Sequence, residues 1–276
     1  MIHEVQSIET KGFRTFEKAS FKNFGRQPKL LHDEACFMFL LNGSFQIRTP
    51  LKSVVLSKNE GMLSKCGDYL YEDIQSKDQN EMIIALGIYF HPELIKDIFY
   101  NSKVNWNKRK YVAYKMDVGL LLENYKNSLL HYLNHPALFD EEMQLLKIKE
   151  LLLILSKTEN APSIQHLVAS LFSPQDYDFR EIIESNLYAA LSIPEMAMLC
   201  GMSPTSFKRK FGELYLDSPA DYIRKRKLER AAQLLTTGSL RISDIVFDCG
   251  FESISSFNRA FKKQYEVSPT AFRNAN

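Results

Sequence analysis

Long hydrophobic runs are missing from this sequence. No apolar stretch approaches the ~20 residues that a membrane-spanning helix needs, and the opening Met1-Ile-His-Glu-Val5 lacks the basic-then-apolar order of a secretory leader. Cysteine is scarce and scattered: Cys36, Cys66, Cys200 and Cys249 form no CxxC pair, which argues against a disulfide framework and against a zinc module. No His-x-His occurs, and His131 and His135 have helix-ligand spacing, but His135 precedes Pro136 and so falls at a helix end. A strong net charge is lacking too, at +2 overall. These absences lead us to expect a reduced, cytosolic protein with no membrane segment, no metal and no cofactor.

What is present divides unevenly. The 276 residues allow one large or two ordinary domains. Residues 191–276 hold 13 Lys/Arg against 9 Asp/Glu, while residues 1–190 hold 22 against 24. A basic C-terminal third beside a slightly acidic remainder suits a nucleic-acid-binding module, although the excess is small.

Residues 1–110 read as short strands. Cys36–Leu41 and Phe45–Arg48 flank Asn42-Gly43-Ser44, and Asn-Gly between apolar runs predicts a hairpin. Ser53–Ser57, Gly61–Ser64 and Asp68–Tyr71 continue the pattern, and Met82–Phe90 reads as a strand buried on both faces. Many short strands with close turns predict a barrel or a sandwich. His91–Phe99 reads as a short helix with Pro92 in its first turn. The basic cluster Lys108-Arg-Lys110 is either an accessory phosphate contact or a solvated connector.

From Asp117 the apolar period lengthens to that of a helix. Val118, Leu121, Leu122, Tyr125, Leu129 and Leu133 form one stripe. Met143, Leu146, Ile148, Leu151, Leu152 and Leu155 form a second beyond His135-Pro136, which gives an antiparallel helical hairpin. The second helix is apolar over more than one face. Either the strands bury it as well, or Leu145, Ile148, Leu152 and Leu155 meet a second chain, which makes it the candidate dimer helix. Residues 158–178 are rich in Ser, Pro, Asn and Gln and mark the boundary. The expected domains are therefore 1–160 and 176–276, with 161–175 as linker.

The C-terminal domain says nearly the same thing twice. Ile193, Glu195, Cys200 and Gly201 match Ile242, Asp244, Cys249 and Gly250 at an offset of 49. Phe207, Arg209 and Phe211 match Phe257, Arg259 and Phe261 at an offset of 50. A spacing kept on both sides of a turn marks a duplicated supersecondary unit. In each copy a helix ends at Gly, which supplies a left-handed cap. Ser192 with Glu195 makes a capping box, and the start of the second copy near Ile242 and Ser243 offers another N-cap.

A second helix then places two phenylalanines four apart on one inward face. Its outward face carries Thr205, Ser206, Lys208 and Arg209 in the first copy, and Ile254, Ser255, Asn258 and Arg259 in the second. Helix, Gly turn and polar helix is the helix-turn-helix arrangement. Arg can read guanine and Asn adenine in a major groove, with Ser and Thr adaptable. Lys210, Lys262 and Lys263 suit phosphates. Between the copies Ser218 to Gly238 reads as one helix of about 19 residues, roughly 28 Å long, able to hold two reading helices about one DNA turn apart. Ile223, Leu228, Ala231 and Leu235 would face the two halves. Arg224-Lys-Arg-Lys227 is either a phosphate contact, Arg224 foremost, or solvated surface.

The run Asp244 to Arg273, with Gly250-Phe251, Phe257, Arg259, Phe261-Lys262 and the closing Ser268-Pro269 and Arg273, closely resembles the AraC/XylS family of bacterial transcription regulators, as does Met202 to Phe211. The resemblance covers about 100 residues. It implies seven helices, two recognition helices in successive major grooves, and recruitment of RNA polymerase. Base reading then falls to Thr205, Lys208, Arg209, Ile254, Ser255, Asn258 and Arg259.

The N-terminal part resembles more diffusely the cupin-type barrel with helical hairpin that many members use for effector sensing and homodimerisation. His32 and His91 stand alone there, short of a metal-cupin ligand set. Phe37, Phe39, Tyr69, Tyr71 and Tyr89 either line an effector pocket or form packed core. Control by a regulatory protein is equally open. The expected fold class is α+β, and the expected function is that of a cytoplasmic DNA-binding regulator, an activator. Two alternatives remain: a DNA-targeted enzyme such as a repair alkyltransferase, which needs an activated Cys, and a regulator with no small-molecule effector.

Overall fold

The apolar run around Phe37 becomes a strand buried on both faces, and the N-terminal unit is layered about it. The computed structural model describes residues 2–22, 24–31, 34–65, 67–73, 82–98, 114–157, 171, 178–238 and 240–275. It divides into two compact units, Met1–Thr49 with Ser53–Asp176 and Pro50–Lys52 with Tyr177–Asn276. The cluster Lys108-Arg-Lys110, His32, Cys66 and residues 161–175 apart from Leu171 lie outside the described residues.

The first unit holds two antiparallel sheets. One runs β1 (Ile2–Thr10), β2 (Phe13–Phe21), β9 (Ile83–Phe90), β4 (Ala35–Asn42), β7 (Glu60–Ser64) and β10 (Tyr114–Asp117). The other runs β3 (Arg26–Leu31), β8 (Gly67–Asp73), β5 (Ser44–Arg48) and β6 (Ser53–Ser57). Side chains alternate across a strand, and β4 uses both faces. Cys36, Met38 and Leu40 point into a core shared with Phe45, Ile47, Leu56 and Tyr69 of the second sheet. Phe37 and Phe39 point the other way, against α2 (Leu120–Asn134) and α3 (Glu141–Leu155). β9 divides likewise, with Ala85 and Tyr89 in the first core and Leu86, Ile88 and Phe90 in the second. A short helix α1 (Pro92–Ile98) follows it.

Two expectations fail here for physical reasons. Asn42-Gly43 does not close a hairpin. Both edges of β4 are taken by β7 and β9, and β5 pairs with β6 and β8. The turn is instead a corner between sheets: Gly43 has φ +80°, and Asn42 donates to the Met82 carbonyl at 2.6 Å. In the helical hairpin, Leu121 and Leu146 are exposed, not core.

The dimer-helix expectation changes with the second of these results. Ile148, Leu152 and Leu155 are buried against the sheet and α2, and Leu145 packs beside them. The chain's own core accounts for the breadth of that apolar face. The apolar residues that α3 leaves outward are Leu146 and Leu153, at 51% and 41% exposure.

The second unit is helical, with seven helices among its described residues: α4 (Phe179–Asn186), α5 (Ile193–Leu199), α6 (Pro204–Tyr215), α7 (Pro219–Thr237), α8 (Ile242–Asp248), α9 (Ile254–Tyr265) and α10 (Pro269–Ala275). The fold is thus α+β, sheets in one unit and helices in the other. Helices α4 to α6 and the first half of α7 surround one core; the second half of α7 with α8 to α10 surrounds another. Ile223 serves the first core, and Leu228, Ala231 and Leu235 the second.

Candidate nucleic-acid interface

Each reading helix is fixed by the same local devices. Ser203 caps α6 by accepting from the Ser206 amide at 3.2 Å, and Ser253 caps α9 by accepting from the Ser256 amide at 3.2 Å. Inward, Phe207, Phe211, Phe257 and Phe261 are all at 0% exposure. They stack in short ladders: Phe207 to Phe211 at 5.8 Å and on to Tyr215 at 4.3 Å, Phe257 to Phe261 at 5.3 Å and on to Tyr265 at 4.6 Å. Both helices end on a non-glycine residue in the left-handed region, Leu216 at φ +55° and Glu266 at φ +65°. Ser218-Pro219 and Ser268-Pro269 then open the next helix. The duplication therefore runs further than the turn and the phenylalanines, and the two Ser-Pro pairs were its overlooked signal.

The capping box at Ser192 and Glu195 forms as expected. The second copy departs from it, because α8 is preceded by Arg241, which makes no side-chain cap, and Ser243 lies inside the helix.

The outward faces carry most of the expected readers. Thr205, Lys208 and Arg209 on α6 and Ile254, Ser255, Asn258 and Arg259 on α9 are exposed. Lys208, Arg209, Arg259, Lys262 and Lys263 have no ion-pair partner among the described residues, whereas Arg14, Arg48, Lys115 and Arg226 do. Lys263 lies within electrostatic reach of the Asp221 carboxylate; the others, cations held on a rigid helix without an internal counter-charge, are ready for an external anion.

Two expected contacts are displaced, and a third, Arg224, stays exposed but is shared with a carboxylate. Ser206 is half-buried, with its hydroxyl accepting from the Ser203 hydroxyl at 3.1 Å, so it belongs to the cap. Lys210 turns inward and sits 4.9 Å from the Phe179 ring centre. The basic run on α7 is not one surface, since neighbours on a helix point about 100° apart. Arg224 pairs with Asp221 at 2.9 Å, Arg226 reaches Glu229 and Glu184, and Lys227 is buried.

In the N-terminal unit the five aromatic residues of the expected pocket do not gather. Phe37 and Phe39 lie in the core on the helix side of the six-stranded sheet, and Tyr69, Tyr71 and Tyr89 in the core between the sheets. The parity of the strand positions separates them. Tyr69 donates to the Lys65 carbonyl at 2.7 Å.

Tyr89 belongs to a polar cluster that sequence reading missed, because its members come from three strands, the residue before β4 and the residue after β9. Its hydroxyl donates to Glu17 at 3.0 Å and accepts from Lys29 at 3.1 Å, and the Arg14 guanidinium lies 3.8 Å over its ring. Arg14 also pairs with Glu17 at 3.1 Å and with Glu34. His91, alone in the sequence, has Nε2 3.1 Å from Glu34 Oε2. Burial pushes the Glu34 carboxyl up, but the His91 hydrogen bond and the Arg14 guanidinium outweigh it and hold it below its ordinary value. His131 and His135 are neighbours, with ring centres 4.5 Å apart, and His135 Nδ1 meets the His131 carbonyl. Among the described residues no group of three His, Cys, Asp or Glu side chains is placed to hold a metal ion.

Two helix-turn-helix units in one helical body, facing outward with unpaired cations, define a DNA-reading class of protein. Comparison with known proteins agrees. Residues 196–275 match the family described as "Helix-turn-helix domain", and residues 35–167 match the "ExsA N-terminal regulatory domain". The chain belongs to the AraC family of transcriptional regulators. It is 29% identical over 135 residues to the virulence regulon transcriptional activator VirF of Yersinia enterocolitica, covering 49% of this chain and 50% of VirF. It is 27% identical over 148 residues to the HTH-type transcriptional regulator ExsA of Pseudomonas aeruginosa, covering 54% of this chain and 51% of ExsA. The chain thus spans about half the length of these relatives. Among solved structures, ToxT of Vibrio cholerae aligns over 96% of each chain at 15% identity with a TM-score of 0.41.

Proposed function

We propose that this protein is a sequence-specific DNA-binding transcriptional activator that reads two unlike elements in successive major grooves. The observation that carries the reading is the pair of capped helices α6 and α9. Each hangs on two fully buried phenylalanines and exposes Arg, Lys, Asn or hydroxyl groups to solvent. In this reading Thr205, Lys208 and Arg209, then Ile254, Ser255, Asn258 and Arg259, meet base edges, and Lys262 and Lys263 meet phosphates. The protein acts in the cytoplasm, recruits RNA polymerase and works as a homodimer. Its N-terminal unit, read as cupin-like, is controlled by a small molecule or a regulatory protein. The assignment as activator draws on the printed name of VirF.

We read it as a regulator, not an enzyme. A nucleophilic cysteine needs a lowered thiol pKa, and among the described residues burial pushes the Cys36 and Cys200 thiols up to about 12 and Cys249 up to about 11.

Footprinting of the full chain on DNA selected from a random pool tests the proposal. The expected result is one protected region with two elements about a helical turn apart, ~34 Å. Arg209→Ala should lose protection over one element and Arg259→Ala over the other. No selected sequence at physiological salt would sink the reading, and unchanged protection by both variants would sink the residue assignment.

A further inference from the structure

A single helix passes through both cores of the helical unit, and one charged residue is buried on it at the changeover. Lys227 lies between Ile223, which packs in the first core, and Leu228, which packs in the second, and it is 8% exposed. Its Nζ donates to the Gly250 carbonyl at 2.8 Å and to the Ala189 carbonyl at 3.3 Å. Gly250 is the turn between α8 and α9 in the second helix-turn-helix, and Ala189 follows α4 in the first. One ammonium group therefore holds the two halves at once.

The surrounding geometry is built for that approach. A Cβ on Gly250 would lie 2.2 Å from the Tyr188 carbonyl oxygen and 3.1 Å from Lys227 Nζ. The Tyr188 ring is covered by the Arg230 guanidinium, 4.1 Å from its centre. The first-copy turn glycine, Gly201, is exposed, whereas Gly250 is buried. At the 49-residue offset the counterpart of Lys227 is Asp178, the N-cap of α4, so the lysine is no part of the duplicated scaffold. Burying a charge is costly unless it is well bonded. Desolvation lowers the Lys227 pKa against the opposing pull of Glu252, and the two carbonyls are what hold the charge in place.

We propose that Lys227 is the positioning residue that fixes the offset between the two recognition helices, and through it the spacing of the paired DNA elements; the inference rests on the DNA-reading function proposed above. Packing along α7 secures each half to the helix. The Lys227 bridge stops the second half from rolling about that helix relative to the first.

The test has two arms on the full chain. In the first, operators with one base pair added or removed between the elements are titrated against wild type and Lys227→Met. Wild type is expected to prefer one spacing, and the variant to lose roughly tenfold of that preference while both elements stay protected. Lys227→Arg, which keeps the donors, should recover part of it. In the second arm, spin labels on unnatural amino acids at the exposed positions Glu213 and Gln264 report the α6-to-α9 distance without DNA. A narrow wild-type distribution that broadens in Lys227→Met supports the proposal; the same distribution in both proteins overturns it. If Lys227→Met does not fold, the wild-type width and Lys227→Arg decide, and a broad wild-type distribution overturns the proposal. If no DNA is selected at all, the DNA-reading proposal fails by itself, and the distance arm still judges the bridge.

Discussion

The carbonyl of Tyr188 approaches Gly250 so closely that the glycine has no room for a side chain: its Cβ would meet that oxygen at 2.2 Å. The backbone of Gly250 is also left-handed, at φ +74°. Gly250→Ala therefore combines a left-handed penalty of ~1–2 kcal/mol with an overpacking cost of ~1–3 kcal/mol, a loss of roughly 2–5 kcal/mol. Urea unfolding followed by circular dichroism should register it. Gly201→Ala, at an exposed turn with φ +63°, should cost only the first part, about 1–2 kcal/mol.

Arg209 and Arg259 should separate folding from reading. Both are exposed and free of ion pairs among the described residues, so replacement by Ala should leave stability within about 0.5 kcal/mol. Each should weaken specific binding by ~1–3 kcal/mol and relax selectivity at its own base. Lys262→Ala should weaken all sequences alike and reduce the salt slope by about 1. Fluorescence anisotropy across a salt series measures both quantities.

Glu34 makes the N-terminal unit acid-sensitive. Its folded-state carboxyl titrates below its unfolded value, so the unfolded chain binds the proton first as pH falls. The stabilisation is fully present above the ordinary carboxylate range, about 4.3, and is lost as pH drops from there through the folded value. Thermal melts should show wild type losing stability over that acid window. Glu34→Gln should start lower at pH 7 and show a flatter acid dependence. Equal slopes in the two proteins would count against the assignment.

Adjacent leucines on α3 should behave oppositely. Leu152→Ala empties a fully buried site and should cost ~2–5 kcal/mol. Leu146→Lys with Leu153→Lys changes exposed positions only, so the melting temperature should barely move. Sedimentation velocity tests whether that exposed pair supports the proposed homodimer: the double variant should shift to monomer.

Much of the helical unit was legible because it repeats. Turn glycine and paired phenylalanines recur at offsets of 49 and 50, and an offset held across a turn constrains three-dimensional structure strongly. Contacts between the repeats were not legible, since Lys227 reads as one more cation in Arg224-Lys-Arg-Lys227 until the helix phase turns it inward. The sheets hid more. Alternation along β4 shows that Phe37 and Phe39 share a face, but not that Tyr89 faces the opposite way in another core. Asn42-Gly43 has hairpin chemistry, and only the strand pairings reveal it as a corner. The edge strand β10 has just four residues, paired with β7, too few for a period to emerge.

Helix α7 is one wall common to two rooms. A chain begun after Gly238 would inherit the second recognition helix without Leu228, Ala231 and Leu235, the side chains against which Phe257 and Phe261 pack. A chain ended there would strand those three leucine and alanine side chains in water. The two readers are therefore inseparable by truncation. Selection can retune the exposed face of either one, but neither can be inherited, shuffled or lost as a module of its own.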